Sequence, residues 1–155
     1  DTLFASAQAA YDFLEPSMKS RLQGLEAVNS YISYYDSKIR EGSKREPLTH
    51  EQKRRVPDTV HPLIRTHPFT GRKSIYVNPG HTLRIVGVPE DEGRELLSDL
   101  YDRVTKPELI YRHKWRVGDV LVWDNCVVQH NAIGDYKLPQ RRLMHRTTVR
   151  GTVPF

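Results

Sequence analysis

One cysteine in 155 residues, Cys126, excludes an internal disulfide and fits a reducing, cytoplasmic compartment. It sits in an apolar run and reads as a small buried side chain, not a reactive thiol. No apolar stretch approaches the roughly 20 residues needed to cross a bilayer, and none has the layout of a signal peptide. Hydrophobic residues are scarce at 37%, so some apolar surface is expected to be covered by chain not present here. An initiator Met is missing as well. The chain opens on Asp1-Thr2-Leu3-Phe4 and reads as a fragment whose N-terminal portion lies elsewhere. Repeats and low-complexity tracts are absent. Charge is plentiful, with a net +5, but the cations are scattered among 19 acidic residues. The one dense basic run, Lys53-Arg54-Arg55, reads as a solvated helix face, so nucleic acid is not expected as a partner.

At this length the chain is one domain, residues 1–155, with room for a real core. Helical apolar spacing runs from Ser6 to Leu14, and Pro16 opens a second short helix ending near Gly24. Leu25 to Ser33 reads as a strand closed by the aromatic cluster Tyr31, Tyr34 and Tyr35. Residues 36–59 form a polar, proline-punctuated loop or lid, with a capping box at Thr49-His50-Glu51-Gln52 starting one short helix through Arg55. His61 to Pro68 is extended, Thr70-Gly71 turns, and Ser74 to Val77 returns as a hairpin strand. After the turn Asn78-Pro79-Gly80 comes an apolar run, Leu83 to Val88. Pro89 to Arg103 is the clearest helix, with acids in its first turn and the stripe Leu96, Leu97, Leu100, Tyr101. Leu109 to Trp115 alternates as a strand. Many short strands with one packed helix predict a mainly β, jelly-roll-like fold.

The chain is organised around Trp123-Asp124-Asn125-Cys126-Val127-Val128-Gln129-His130 and Arg141-Arg142-Leu143-Met144-His145-Arg146. Val120 to Trp123 and Val127 to Gln129 read as short strands around an Asp124-Asn125 turn, followed by a polar loop over 131–140. Arg141 to Arg150 alternates as a further strand that puts Arg142 and Arg146 on one face, about 13 Å apart. A His at the end of a buried run beside two such arginines suggests a metal ligand next to an organic-acid clamp. His61 and His67 read as hydrogen-bonded structural residues, and His113 and His145 as packed strand residues.

In these motifs the chain resembles the taurine dioxygenase family, the iron(II)- and 2-oxoglutarate-dependent oxygenases that include the phenoxyacetate-degrading enzymes. Asp1-Thr2-Leu3-Phe4, His61-Pro62, Arg65-Thr66-His67-Pro68, Gly71-Arg72-Lys73, Tyr76-Val77-Asn78 and Pro139-Gln140-Arg141-Arg142 carry the likeness together with the central stretch, in the family's order. The resemblance implies a double-stranded β-helix, Fe(II) as metal and 2-oxoglutarate as cosubstrate. By position His130 looks like the distal iron ligand, in a metal-sized polar cavity. Arg142 looks like the partner of the cosubstrate's distal carboxylate, with Thr2 supplying a hydroxyl to it. Arg146 looks like the residue near the inner carboxylate and the substrate's anionic group, and the turn at His81 approaches the substrate pocket.

One feature of the family is missing. No His-x-Asp or His-x-Glu occurs in this sequence, although the family holds iron with such a pair plus the distal His. The expectation is therefore the C-terminal portion of an oxygenase acting on a small anionic sulfonate, sulfate ester or aryloxy acid, inactive by itself. Its partners would be that substrate and O₂, with no membrane, and homo-oligomers are compatible with it. The competing reading is a non-catalytic β-sandwich module that uses the two arginines to hold a dicarboxylate or nucleic-acid phosphates.

Overall fold

The computed structural model describes residues 1–137, 139 and 142–155. Strand β1 (Thr2–Ser6) runs into helix α1 (Ala7–Asp12), because the extended Ser6 caps it by accepting from the Ala9 amide. α2 (Pro16–Leu22) starts on its proline and is followed by β2 (Glu26–Asn29), α3 (Tyr31–Arg40) and α4 (His50–Arg55). Then come β3 (Thr59–Pro62), β4 (Ile64–Thr66), β5 (Lys73–Ile75), β6 (Thr82–Ile85), α5 (Glu90–Val104), β7 (Ile110–His113) and β8 (Val128–Ala132).

The strands form three small antiparallel sheets, ordered β7-β1-β8, β3-β2-β6 and β4-β5. Among the described residues no sheet closes into a barrel. The core lies between them. Leu96, Leu97, Leu100 and Val104 make the buried stripe of α5, packed with Leu14, Leu22, Leu63, Ile75, Val77 and Ile85. Glu90, Asp91 and Glu92 stand in the first turn of α5, where the helix dipole favours them. Among the described residues no helix is long and apolar enough to cross a membrane.

Several expected elements are corrected. The strand read over 25–33 is only Glu26–Asn29, since Ser30 accepts from the Ser33 amide and starts α3. The three tyrosines therefore lie on a helix, at spacings that share a face, and the loop read from residue 36 begins after Arg40. The capping box at Thr49 is present in full. Val120 to Trp123 is no strand: Val120 and Val122 are 89% and 90% exposed, with no ladder partner among the described residues. β8 instead begins after the Asp124 turn and continues to Ala132, into what reads as loop. Residues 142–150 keep their alternating sequence but pair with no described strand; Arg141 lies outside the described residues. Alternation makes a segment compatible with a strand, while a neighbouring ladder makes it one.

Candidate functional site

β1 is the central strand of its sheet, so both neighbours share its faces. Thr2 lies opposite His113 of β7 and Ala132 of β8, and Phe4 opposite Tyr111 and His130. Opposed residues of an antiparallel pair point the same way, which puts Thr2, Phe4, His113 and His130 on one face. Thr2 is 4% exposed, and its Oγ1 accepts from Trp115 Nε1 at 2.9 Å and from Arg142 Nη2 at 3.3 Å. The Trp115 ring meets His113 edge-on, with centroids 4.4 Å apart. His130 stacks on Phe4 at 6.1 Å and tilts against Trp123 at 5.0 Å.

Partial burial against these rings, and then the Arg146 cation, hold the His130 imidazole below its usual pKa. Near pH 7 it is neutral, the form that ligates a metal. Arg142 Nε is buried without an acceptor among the described residues. Such an atom calls for a partner, and a carboxylate matches the guanidinium fork.

The structure thus brings Thr2 to Arg142 and Arg146 near His130, although residues 142–150 are not the strand that was to align the arginines. His81 belongs to a different cluster. It stacks on Tyr34 of α3 at 4.4 Å, and its Nδ1 lies 3.2 Å from Asn78 Oδ1. Burial lowers its pKa. Its turn is tied to the His130 strand one residue away from each, where Gln129 Nε2 donates to the Val77 carbonyl at 2.8 Å.

His130 lies partly against the Phe4 and Trp123 rings and partly open to solvent, and a ≈350 Å³ depression elsewhere along the chain is lined by Tyr111, Arg112, His113, Lys114, Arg116 and Asp119, without His130. His145, expected to pack, is exposed. His61, expected to be hydrogen-bonded, has a buried Nδ1 with no partner among the described residues.

A second set of donor atoms, those of His67, Asp124 and Cys126, lies within 4.8 Å of one another. His67 Nε2 meets Asp124 Oδ2 at 2.8 Å, and its Nδ1 accepts the Phe69 and Thr70 amides at 3.3 and 3.0 Å. Both ring nitrogens are therefore engaged, which fixes the proton on Nε2. Burial pushes the Asp124 carboxyl up, but the Cys126 amide and then His67 outweigh it and leave the carboxyl below its usual range. The Cys126 thiol is pushed up by burial and then by Asp124, so it is not a poised nucleophile. This cluster reads as a clasp holding the Asp124 turn. A neutral imidazole such as that of His130 is of the kind Fe(II) takes, and a keto acid's carboxylate would suit a guanidinium left open at Nε, as Arg142 is among the described residues.

Phe4, Trp115 and Trp123 were missed as site residues. Phe4 could have been found from the period of two that places it on the Thr2 face; the Trp115 contact joins positions 113 residues apart and leaves no local trace.

The chain matches the family described as Taurine catabolism dioxygenase TauD, TfdA family over residues 1–148. It is 38% identical over 155 residues to the alpha-ketoglutarate-dependent 2,4-dichlorophenoxyacetate dioxygenase of Burkholderia sp. (strain RASC), covering 97% of this chain and 48% of that protein. It is 35% identical over 162 residues to an alkylsulfatase of Acinetobacter baylyi, covering 99% of this chain and 48% of the relative. The crystal structure of AAD-2 in complex with Mn(II) and N-oxalylglycine superposes with a TM-score of 0.70 and 36% identity, over 83% of this chain and 48% of that one. The chain spans about half the length of these relatives. Its fold is of their jelly-roll class, represented here by three small sheets. On the family match over residues 1–148 and these identities, the chain belongs to the TauD/TfdA dioxygenase family.

Proposed function

We propose that the protein containing this chain is an Fe(II)- and 2-oxoglutarate-dependent dioxygenase acting in a reducing, cytoplasmic compartment. Its substrate is a small anionic organic molecule: a sulfonate, a sulfate ester or an aryloxy acid. Substrate, 2-oxoglutarate and O₂ give hydroxylated substrate, succinate and CO₂. When bound, the iron supplies O₂ activation and oxidative decarboxylation of the keto acid. His130 is its imidazole ligand from this chain, and a His-x-Asp pair that this chain does not contain completes the site. The chain forms the C-terminal portion of the fold. Nucleic acid is not a partner in this reading, and a homo-oligomer is compatible with it.

The observation that carries the reading is the Thr2–Arg142 hydrogen bond, with Arg142 Nε still lacking an acceptor. The contact ties the cation to the sheet that bears His130 and leaves its fork free for the distal carboxylate of 2-oxoglutarate. Arg146, whose charge reaches His130, lies nearer the metal ligand and serves the inner carboxylate and the substrate's acidic group. Trp123 and Phe4 shield one side of the imidazole. The turn at His81 borders the substrate.

The test is succinate formation by the Fe(II)-loaded protein containing this chain, against taurine, an alkyl sulfate, an aryloxyacetate and a neutral isostere of the best acid. The acid is favoured over its isostere at least about tenfold, roughly 1.4 kcal/mol, and Arg146→Gln narrows the gap. Tight 2-oxoglutarate binding with no succinate from any acid would return the chain to the binding-module reading.

A further inference from the structure

Among the described residues, Arg65 is the one permanently charged residue that is buried almost completely, at 5% exposure. It lies on β4 opposite Ser74 of β5, which is buried too. Its Cζ stands 5.2 Å from the Tyr76 ring centroid, its side chain comes within hydrogen-bonding reach of the Cys126 thiol, and its charge reaches His61. Among the described residues it forms no ion pair, and its Nε is buried without an acceptor. His61 meets the same Tyr76 ring edge-on, with centroids 6.1 Å apart, and its Nδ1 is likewise buried and unpartnered.

Two orphaned polar atoms beside one aromatic ring share a requirement. A guanidinium withdrawn from water loses its hydration, and a cation–π contact returns only part of it. The groups near it do not supply the missing charge. Cys126 holds its proton because burial and Asp124 raise its pKa, and His61 is kept neutral by burial and then by Arg65 itself. The nearby carboxylate, Asp124, is taken by His67 and the Cys126 amide. What fits a guanidinium fork beside a neutral imidazole N–H is a planar oxyanion with two acceptor oxygens.

We propose that Arg65 and His61 form a carboxylate-binding subsite against Tyr76, with Arg65 taking both oxygens and His61 Nδ1–H donating to one. The carboxylate comes either from a small free organic acid or from an Asp or Glu side chain of polypeptide laid over β3, an edge strand of its sheet. The chemistry at the guanidinium is the same in both cases.

The readout is the Nε–Hε resonance of Arg65 in the protein containing this chain, assigned through its own side-chain carbons and followed by NMR. The probe is acetate, with chloride at equal ionic strength as the control. For a free acid, the resonance moves downfield saturably with acetate and not with chloride, and His61→Phe weakens the response about tenfold or more. For a polypeptide carboxylate, the resonance is already downfield, exchanges slowly and ignores acetate, and Arg65→Met lowers the unfolding midpoint. A resonance that keeps the shift and fast exchange of a free guanidinium with and without acetate overturns the proposal. That observation is made on the unmutated protein, so a variant that fails to fold does not blunt it. It is also independent of succinate formation, so its failure and a failure of the oxygenase reading are told apart.

Discussion

Thr2→Val keeps the branched shape of the side chain and deletes the oxygen that accepts from both Trp115 and Arg142. Both donors lose a partner at a position that is 4% exposed. A buried donor left unpaired costs about 1–3 kcal/mol. Trp115 and Arg142 are half-buried and the Arg142 contact is long at 3.3 Å, so the pair together falls near the middle of that range. The expected loss is about 2 kcal/mol, which in a domain of this size lowers the melting temperature by roughly 4–8 °C. Thr2→Ser restores the acceptor and should recover most of it. The assay is thermal and denaturant unfolding of wild type, Thr2→Val, Arg142→Ala and the double variant, with 2-oxoglutarate affinity measured on the same four proteins. Residues in direct contact couple by about 0.5–3 kcal/mol in such a cycle. If Thr2→Val stays within about 0.5 kcal/mol of wild type and the two changes add without coupling, the hydroxyl does not organise Arg142, and the geometric argument for the carboxylate clamp fails.

Arg142→Ala should weaken 2-oxoglutarate binding by roughly 2–5 kcal/mol, with Arg142→Lys recovering only part, as read by calorimetric titration. Leu100→Ala removes a side chain with 0% exposure from the α5 stripe and should cost about 2–5 kcal/mol in urea unfolding. Burial lowers the pKa of His61 and of His81, with Arg65 adding to the first. The unfolded chain therefore takes up these protons first, so their contribution is complete above about pH 6.5 and is lost as pH falls through the depressed folded values. Urea midpoints should hold above about pH 6.5 and drop as the pH falls below it, and His81→Phe should flatten part of that slope.

What could be read from the sequence were the features set by local periodicity and capping. The α5 stripe repeats at helical spacing and places Leu96, Leu97 and Leu100 in the core, as the structure shows. The Thr49–Gln52 capping box depends on atoms three residues apart. The β4–β5 hairpin needs only a turn at Thr70-Gly71, where Gly71 has φ +69°. The family was legible from the order of its motifs, and with it the candidate roles of His130, Arg142, Arg146 and Thr2.

The tertiary structure decided whatever depends on a distant neighbour. It made Tyr31 to Arg40 a helix, since a serine cap and packing on His81 outweighed the strand preference of tyrosine and isoleucine. It denied strand status to Val120–Trp123, since β pairing is a property of two segments and a sequence states only one of them. It brought Trp115 and Arg142 to one hydroxyl across 113 and 140 residues, a contact no periodicity encodes. It also buried Arg65 with an open Nε, because the unpaired state of a charge is fixed by everything that surrounds it in space and by nothing adjacent to it in the chain.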